Sequence, residues 1–200
     1  MKTIPLYDND ISDRQAMAIA DMLRDGQVMI WPTDTFYGIA CDIFNPKSVE
    51  RLCRIKGVSP DKNIFSLICA DISQASEYTR IGNEAFRLMR TNTPGPFTFI
   101  LRANSKLPRA LKGRKNIGIR IPAFSDARKI AETLGNPILN TSVIMDNTDI
   151  IAPELIAEQY QNIADIFLIG PESGTLPSTV IDCTTSDFTV LREGAGEVMV

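Results

Sequence analysis

The sequence predicts an α/β fold: one domain with a mixed sheet and flanking helices. Helical and strand patterns alternate irregularly along the chain, unlike the regular succession of a doubly wound sheet. Hairpin-like strand pairs gather towards the C-terminus, which a purely parallel sheet lacks. No internal repeat, linker or low-complexity tract divides the 200 residues. Residues 1–200 therefore read as a single domain, with a core from about residue 11 to residue 196.

Each element follows from local chemistry. Ser12-Asp-Arg-Gln15 is a capping box; Ala16, Ile19, Ala20 and Leu23 then form one helical stripe that Gly26 ends. Gln27 to Trp31 reads as a buried strand, Pro32 to Thr35 as a turn, and Phe36 to Cys41 as a second strand. Asn45-Pro46 is an N-cap followed by proline at the first helical position, opening a helix to about Ile55. Ile64 to Ala70 reads as a strand and Asn83 to about Thr91 as a helix. Strands follow at Phe97 to Arg102 and Ile117 to Ile121, and Ser125 is read as the cap of a helix ending at Leu134-Gly135. Ile138 to Ile144, Ile166 to Ile169, Thr179 to Cys183 and Phe188 to Arg192 complete the strands.

Composition excludes several classes of function. No apolar run approaches the roughly 20 residues that span a bilayer, and the N-terminus lacks a secretory pattern, so no membrane role and a cytoplasmic location are expected. The four cysteines are scattered in apolar contexts with no Cys-x-x-Cys pair, which reads as buried free thiols. Histidine is absent, which removes Ser-His-Asp and Cys-His catalysis and every histidine metal site. The net charge of −3 argues against a generic nucleic-acid binder. Yet the stretch between Glu84 and Asp126 holds no acid, while Arg87, Arg90, Arg102, Lys106, Arg109, Lys112, Arg114, Lys115 and Arg120 lie within it. Such a block is ordinarily a solvated face; it is also chemistry that meets phosphates.

Three segments set small hydroxyl residues and turn formers against apolar runs: Trp31-Pro-Thr-Asp-Thr-Phe-Tyr-Gly38, Pro94-Gly-Pro-Phe-Thr-Phe-Ile-Leu101 and Pro177-Ser-Thr-Val-Ile-Asp182. A sheet uses such segments to bring backbone N–H groups and hydroxyls to the mouth of a polar cavity. Neither common phosphate cradle, Gly-x-x-x-x-Gly-Lys-Ser/Thr or Gly-x-Gly-x-x-Gly, is present.

In this order, with Lys56 and Thr141-Ser142 between them, the segments resemble the YrdC/YciO family, whose catalytic members are threonylcarbamoyl-AMP synthases. The resemblance runs from about Ile11 to Gly196 and looks closest to the YciO-like branch. It implies a twisted mixed sheet with flanking helices around a large positively charged cavity. It also implies a reaction joining L-threonine, bicarbonate and ATP into threonylcarbamoyl-AMP, in the service of tRNA threonylcarbamoyladenosine modification. ATP would be a substrate, Mg²⁺ would come with it, and no permanent cofactor is expected. In such a reaction the carboxylated threonine attacks the α-phosphorus in line, so the protein neutralises phosphate charge and excludes water more than it supplies a base.

By resemblance, Thr33 and Thr35 belong to a turn that holds the amino acid; the plain alternative is a strand-ending turn in which Asp34 bonds its own backbone. Lys56 matches the lysine of a Lys-x-Arg pair facing the nucleotide phosphates, but Val58 stands where the arginine belongs. A lone lysine at a helix end also compensates the macrodipole. Arg54 can replace the missing arginine only if the helix has already ended, and Lys62 matches a second basic position. Thr141-Ser142 opens the family's Thr-Ser-Ala-Asn, but Ile144 replaces the asparagine. On a strand, 140, 142 and 144 share a face, so Asn140 is placed to offer an amide from one step upstream. Ser178 and Thr179 match hydroxyls given to phosphates, Arg192 a late arginine near them, and Arg120 a cavity position. A lone arginine at a strand end is more often a surface ion pair. Thr98 is read equally as cavity-facing or as a buried strand threonine.

One lost arginine and one lost amide, at about 1.5–3 kcal/mol for each charged hydrogen bond, would weaken transition-state stabilisation roughly 10²- to 10⁴-fold. Two functions are therefore carried forward. One is a threonylcarbamoyl-AMP synthase-type nucleotidyltransferase of weakened or altered activity, with Lys56 and Ser142 central and ATP or AMP, L-threonine and bicarbonate as ligands. The other is a non-catalytic protein binding nucleotide or double-stranded RNA, acting in RNA or ribosome maturation, with tRNA as a further partner.

Overall fold

A computed structural model of the protein describes residues 1–6, 10–59, 65–143, 152–170 and 174–200. Its strands are β1 (Lys2–Pro5), β2 (Met29–Trp31), β3 (Gly38–Asp42), β4 (Ser66–Ile68), β5 (Thr79–Arg80), β6 (Phe97–Ala103), β7 (Asn116–Arg120), β8 (Ile138–Ser142), β9 (Ile166–Ile169), β10 (Thr179–Asp182) and β11 (Thr189–Arg192). The helices are α1 (Asp13–Arg24), α2 (Pro46–Ile55), α3 (Ile72–Tyr78), α4 (Asn83–Asn92), α5 (Ser125–Leu134) and α6 (Pro153–Tyr160), with a 3₁₀ turn at Arg109–Leu111.

All of these strands join one sheet in the order β1-β9-β2-β3-β8-β4-β7-β6-β10-β11, with β5 pairing β6. The sheet is mixed, as expected. Parallel pairs (β1·β9, β2·β9, β4·β7, β6·β10) are mixed with antiparallel ones, and β10·β11 is the C-terminal hairpin. Side chains of successive strand residues point to opposite faces, and two apolar layers result. Ile30, Ile39, Leu67, Phe99, Ile119, Leu139 and Ile181 meet α2, α3 and α4 on one face. On the other, Met29, Trp31, Ala40, Ile68 and Ile138 meet the stripes of α1 (Ala16, Ile19, Leu23) and α5 (Ala127, Ile130, Leu134).

Register decides where the site forms. Asn140, Ser66, Gly118, Ile100 and Asp182 lie side by side across β8, β4, β7, β6 and β10. They share the face that carries Ala40 and Ile68, against which α1 and α5 pack. Beyond those helices the same face lines a cavity.

Several boundaries differ from the sequence reading. The α1 capping box and the Asn45 cap of α2 are present as expected. Ser125 is not a cap: it is the first residue of α5, whose N-cap is Phe124, while the C-terminal end falls at Gly135 (φ 82°). The strand expected at 27–31 begins only at Met29, because Val28 gives its N–H to the Asp165 carboxylate. The strand expected at 36–41 begins at Gly38, because Thr33 Oγ1 donates to the Phe36 carbonyl (2.7 Å) and keeps Phe36 in the turn. Strands expected at 64–70 and 138–144 narrow to Ser66–Ile68 and Ile138–Ser142; Ile64 and Ile144 lie outside the described residues. β1, α3, β5 and α6 were not expected. Among the described residues no helix is long and apolar enough to cross a membrane.

Candidate functional site: a polar cavity on the open sheet face

The cavity holds about 630 Å³, within the range of small-molecule sites. Its floor is the in-register row just described. Gly118 sits at the centre of that floor, where a Cβ would come within 2.9 Å of Thr98 Cγ2; a side chain there would fill the space. Four basic side chains, Lys56, Arg114, Arg120 and Arg192, reach the wall, against one carboxylate, Asp182, among the described residues. The Asp182 Oδ1 is engaged by the Thr184 N–H (2.9 Å).

The wall has two ends. Lys56 closes α2 as its C-cap, and its Nζ donates to the Ser142 carbonyl (2.8 Å). Burial pulls this ammonium below its ordinary pKa. The Ser142 hydroxyl has no hydrogen-bond partner among the described residues and lines the cavity. At the other end Arg192 donates from Nε and Nη2 to the Ser178 carbonyl (3.1 and 2.8 Å) and from Nη2 to Ser178 Oγ (3.2 Å). Ser178 Oγ also meets Thr98 Oγ1 at 2.8 Å, so Thr98 faces the cavity. Arg192 has no carboxylate partner among the described residues.

Arg120 is handled differently. Its side chain is 8% exposed and that of Asp34 9%, and the two pair at 2.5 Å. The other Asp34 oxygen accepts the Ala123 N–H at 2.8 Å. Asp34 therefore reaches across the fold rather than bonding its own turn, and the buried Arg120 is no surface ion pair. Burial and the nearby Arg192 press the Arg120 guanidinium below its ordinary pKa, which Asp34 opposes. Asn140, 2% exposed, accepts the Trp31 indole N–H through Oδ1 (2.8 Å). With that oxygen occupied, the amide N–H₂ is what Asn140 offers to the cavity. Gly38 makes room: a Cβ there would lie 2.2 Å from Asn140 Oδ1.

Of the residues expected from sequence, Thr35, Lys56, Arg120, Asn140, Thr141, Ser142, Ser178 and Arg192 line this one cavity. Thr33 does not reach it: its hydroxyl is buried in the turn, accepting the Thr35 N–H (3.1 Å) and donating to Phe36. Thr179 does not reach it either. Its hydroxyl donates to the Gly196 carbonyl (2.6 Å) and accepts the N–H groups of Gly194 and Gly196, tying down the C-terminal segment. Lys62 lies outside the described residues. Arg54 is still helical, exposed and paired with Glu50 (3.3 Å), so it does not stand in for the missing arginine, and Val58 packs against the main core.

The acid-free stretch disperses over α4, β6, the 3₁₀ turn and β7. Arg87 pairs with Glu84, Lys106 with Glu77, and Arg102 donates to the Thr184 carbonyl. From this stretch only Arg114 and Arg120 reach the cavity. Arg114, Phe65, Ser66 and Asn116 were not expected at the site.

A family model for Sua5, YciO and YrdC proteins, described as telomere recombination, matches residues 21–194. The chain is 40% identical over 182 residues, 89% of it and 88% of the relative, to the uncharacterised protein YciO of Escherichia coli K12. The crystal structure of E. coli YciO superposes with a TM-score of 0.89, covering 98% of each chain at 36% identity. More distant is the threonylcarbamoyl-AMP synthase of Vibrio vulnificus, 28% identical over 183 residues, 88% of this chain and 96% of the synthase. The P. abyssi Sua5 structure complexed with L-threonine superposes with a TM-score of 0.83 at 27% identity, covering 96% of this chain and 57% of that one.

Proposed function

The chain belongs to the Sua5/YciO/YrdC family, and we propose that its cavity binds ATP and a small amino acid and acts as a weakened threonylcarbamoyl-AMP synthase. The observation that carries this reading is the convergence of Lys56, Ser142, Asn140, Ser178 and Arg192 on one polar wall with a single carboxylate among the described residues. Such a wall suits a polyanion, since each charged hydrogen bond contributes about 1.5–3 kcal/mol. The family kinship to a synthase and to a threonine-bound Sua5 points to the same ligands.

In this reading the threonine amine combines with bicarbonate to give a carbamate, losing water. The carbamate oxygen forms a bond to the α-phosphorus of ATP as the bond to pyrophosphate breaks, and the electron pair leaves with pyrophosphate. Lys56, Ser178 and Arg192 hold phosphate oxygens and neutralise charge as it shifts towards the leaving group. The Asn140 amide and the Ser142 hydroxyl orient acceptor oxygens on the same wall. Mg²⁺ would enter with ATP, as part of the substrate complex.

The weakness follows from Val58 and Ile144, which supply neither of the two polar groups expected there. The test is pyrophosphate release from ATP, Mg²⁺ and bicarbonate, with and without L-threonine. Slow threonine-dependent release, lost in Lys56→Ala, is expected. Equal release with and without threonine by the folded protein would refute the reading. Double-stranded RNA binding gains no support from the way the basic stretch disperses.

A further inference from the structure

Arg114 stands out on the cavity wall because its position is built rather than left to solvent. The residue is 8% exposed, and its guanidinium carbon lies 5.5 Å from the centre of the Phe65 ring. Such a face-on placement fixes a long side chain that would otherwise be mobile. Arg114 and Phe65 each precede a strand of the cavity floor, β7 and β4. Burial pushes the Cys53 thiol up while Arg114 opposes it, which places the arginine beside the last turns of α2. That helix ends at Lys56.

Register locates both cations at one end of the cavity. Ser142, which holds Lys56, lies one strand step beyond the Asn140–Ser66–Gly118 row, level with Asn116, two residues after Arg114. Arg120 lies level with Thr98, Val180 and Arg192 at the other end. The two levels are four strand residues apart, about 13 Å at roughly 3.3 Å per residue. A single phosphate seated against Ser178 and Arg192 leaves the Lys56 end unfilled, whereas a chain of phosphates engages both ends.

We infer that Arg114 is a second phosphate-binding cation, working beside Lys56, and that it makes the cavity select a nucleoside triphosphate over a monophosphate. It supplies from the loop before β7 the charge that the apolar, core-packed Val58 does not supply after α2. This rests on the ATP reading above and adds to it the residue that sets polyphosphate preference.

The experiment compares ATP and AMP affinities by calorimetry for wild type, Arg114→Gln and Arg114→Lys, with thermal melts as a check on folding. Arg114→Gln is expected to weaken ATP about 10- to 100-fold and to leave AMP little changed; Arg114→Lys falls between. Equal weakening of ATP and AMP, or no weakening of either, would overturn the inference while leaving the ATP reading intact. If Arg114→Gln does not fold, Arg114→Lys carries the same comparison of ligands. Failure of the wild type to bind ATP at all would remove the reading and the inference together.

Discussion

Replacing Asp34 with asparagine tests whether the cavity wall is preset. The carboxylate is the charged partner of Arg120 and also accepts the Ala123 N–H, and both side chains are at most 9% exposed. Asparagine keeps the shape and, through its carbonyl, the bond to Ala123, but leaves the Arg120 charge buried without a counter-ion. Breaking a buried pair on one side costs about 3–5 kcal/mol. At about 2.1 cal/mol/K per residue, unfolding 200 residues carries roughly 0.4 kcal/mol/K, so the melting temperature should fall by about 7–12 °C. Removing both charges, Asp34→Asn with Arg120→Gln, should recover most of the loss, because no buried charge is then orphaned. ATP should raise the melting temperature of Asp34→Asn by more than that of the wild type, since the released guanidinium becomes available to an anion. Calorimetric melts at pH 7 with and without ATP read all three effects. A fall of less than about 2 °C, or a double variant no better than the single one, would refute the claim that Asp34 holds Arg120 in place.

Three further outcomes follow from the same geometry. Gly38→Ala should cost about 1–3 kcal/mol and weaken nucleotide binding, because the new Cβ displaces the Asn140 amide from the Trp31 indole; the sole tryptophan gives an emission shift as readout. ATP affinity should decline with rising pH earlier than an ordinary lysine would dictate, because burial lowers the Lys56 pKa and the neutral amine does not bind phosphate; in Lys56→Met titrations this component should be gone. Asp126 accepts the Ile11 N–H with one oxygen, keeps the other buried without a partner among the described residues, and has its pKa raised by burial. A raised carboxyl pKa favours the folded state at low pH and is lost as pH rises, so wild-type stability relative to Asp126→Asn should improve as pH falls from 7 towards 4 in denaturant titrations.

Much of this was legible because it depended on local period and caps. Gln15, Asn45-Pro46 and Gly135 announce helix ends through bonds within a few residues, and the alternation of β8 was enough to put Asn140 on the face of Ser142. What depended on distant partners was not. β1 is four residues with a proline, and only pairing with β9, more than 160 residues on, makes it a strand. Asp34 looks like a turn residue until Arg120 and Ala123 are brought beside it. Arg114 stood in the sequence as one of nine basic residues in an acid-free stretch; only folding separates it from the exposed members and sets it over Phe65. Thr33 and Thr179 show the converse. Both sit in motifs that reach the cavity, but tertiary hydrogen bonds commit their hydroxyls to the turn and to the C-terminal segment.

The most direct test is a crystal structure of the protein grown with a non-hydrolysable ATP analogue and L-threonine. The nucleotide is expected on the face floored by Ser66, Gly118 and Ile100, with phosphate oxygens within hydrogen-bond distance of Lys56 Nζ, Ser178 Oγ and Arg192. A cavity left empty at saturating ligand, or a nucleotide bound on another surface, would contradict it.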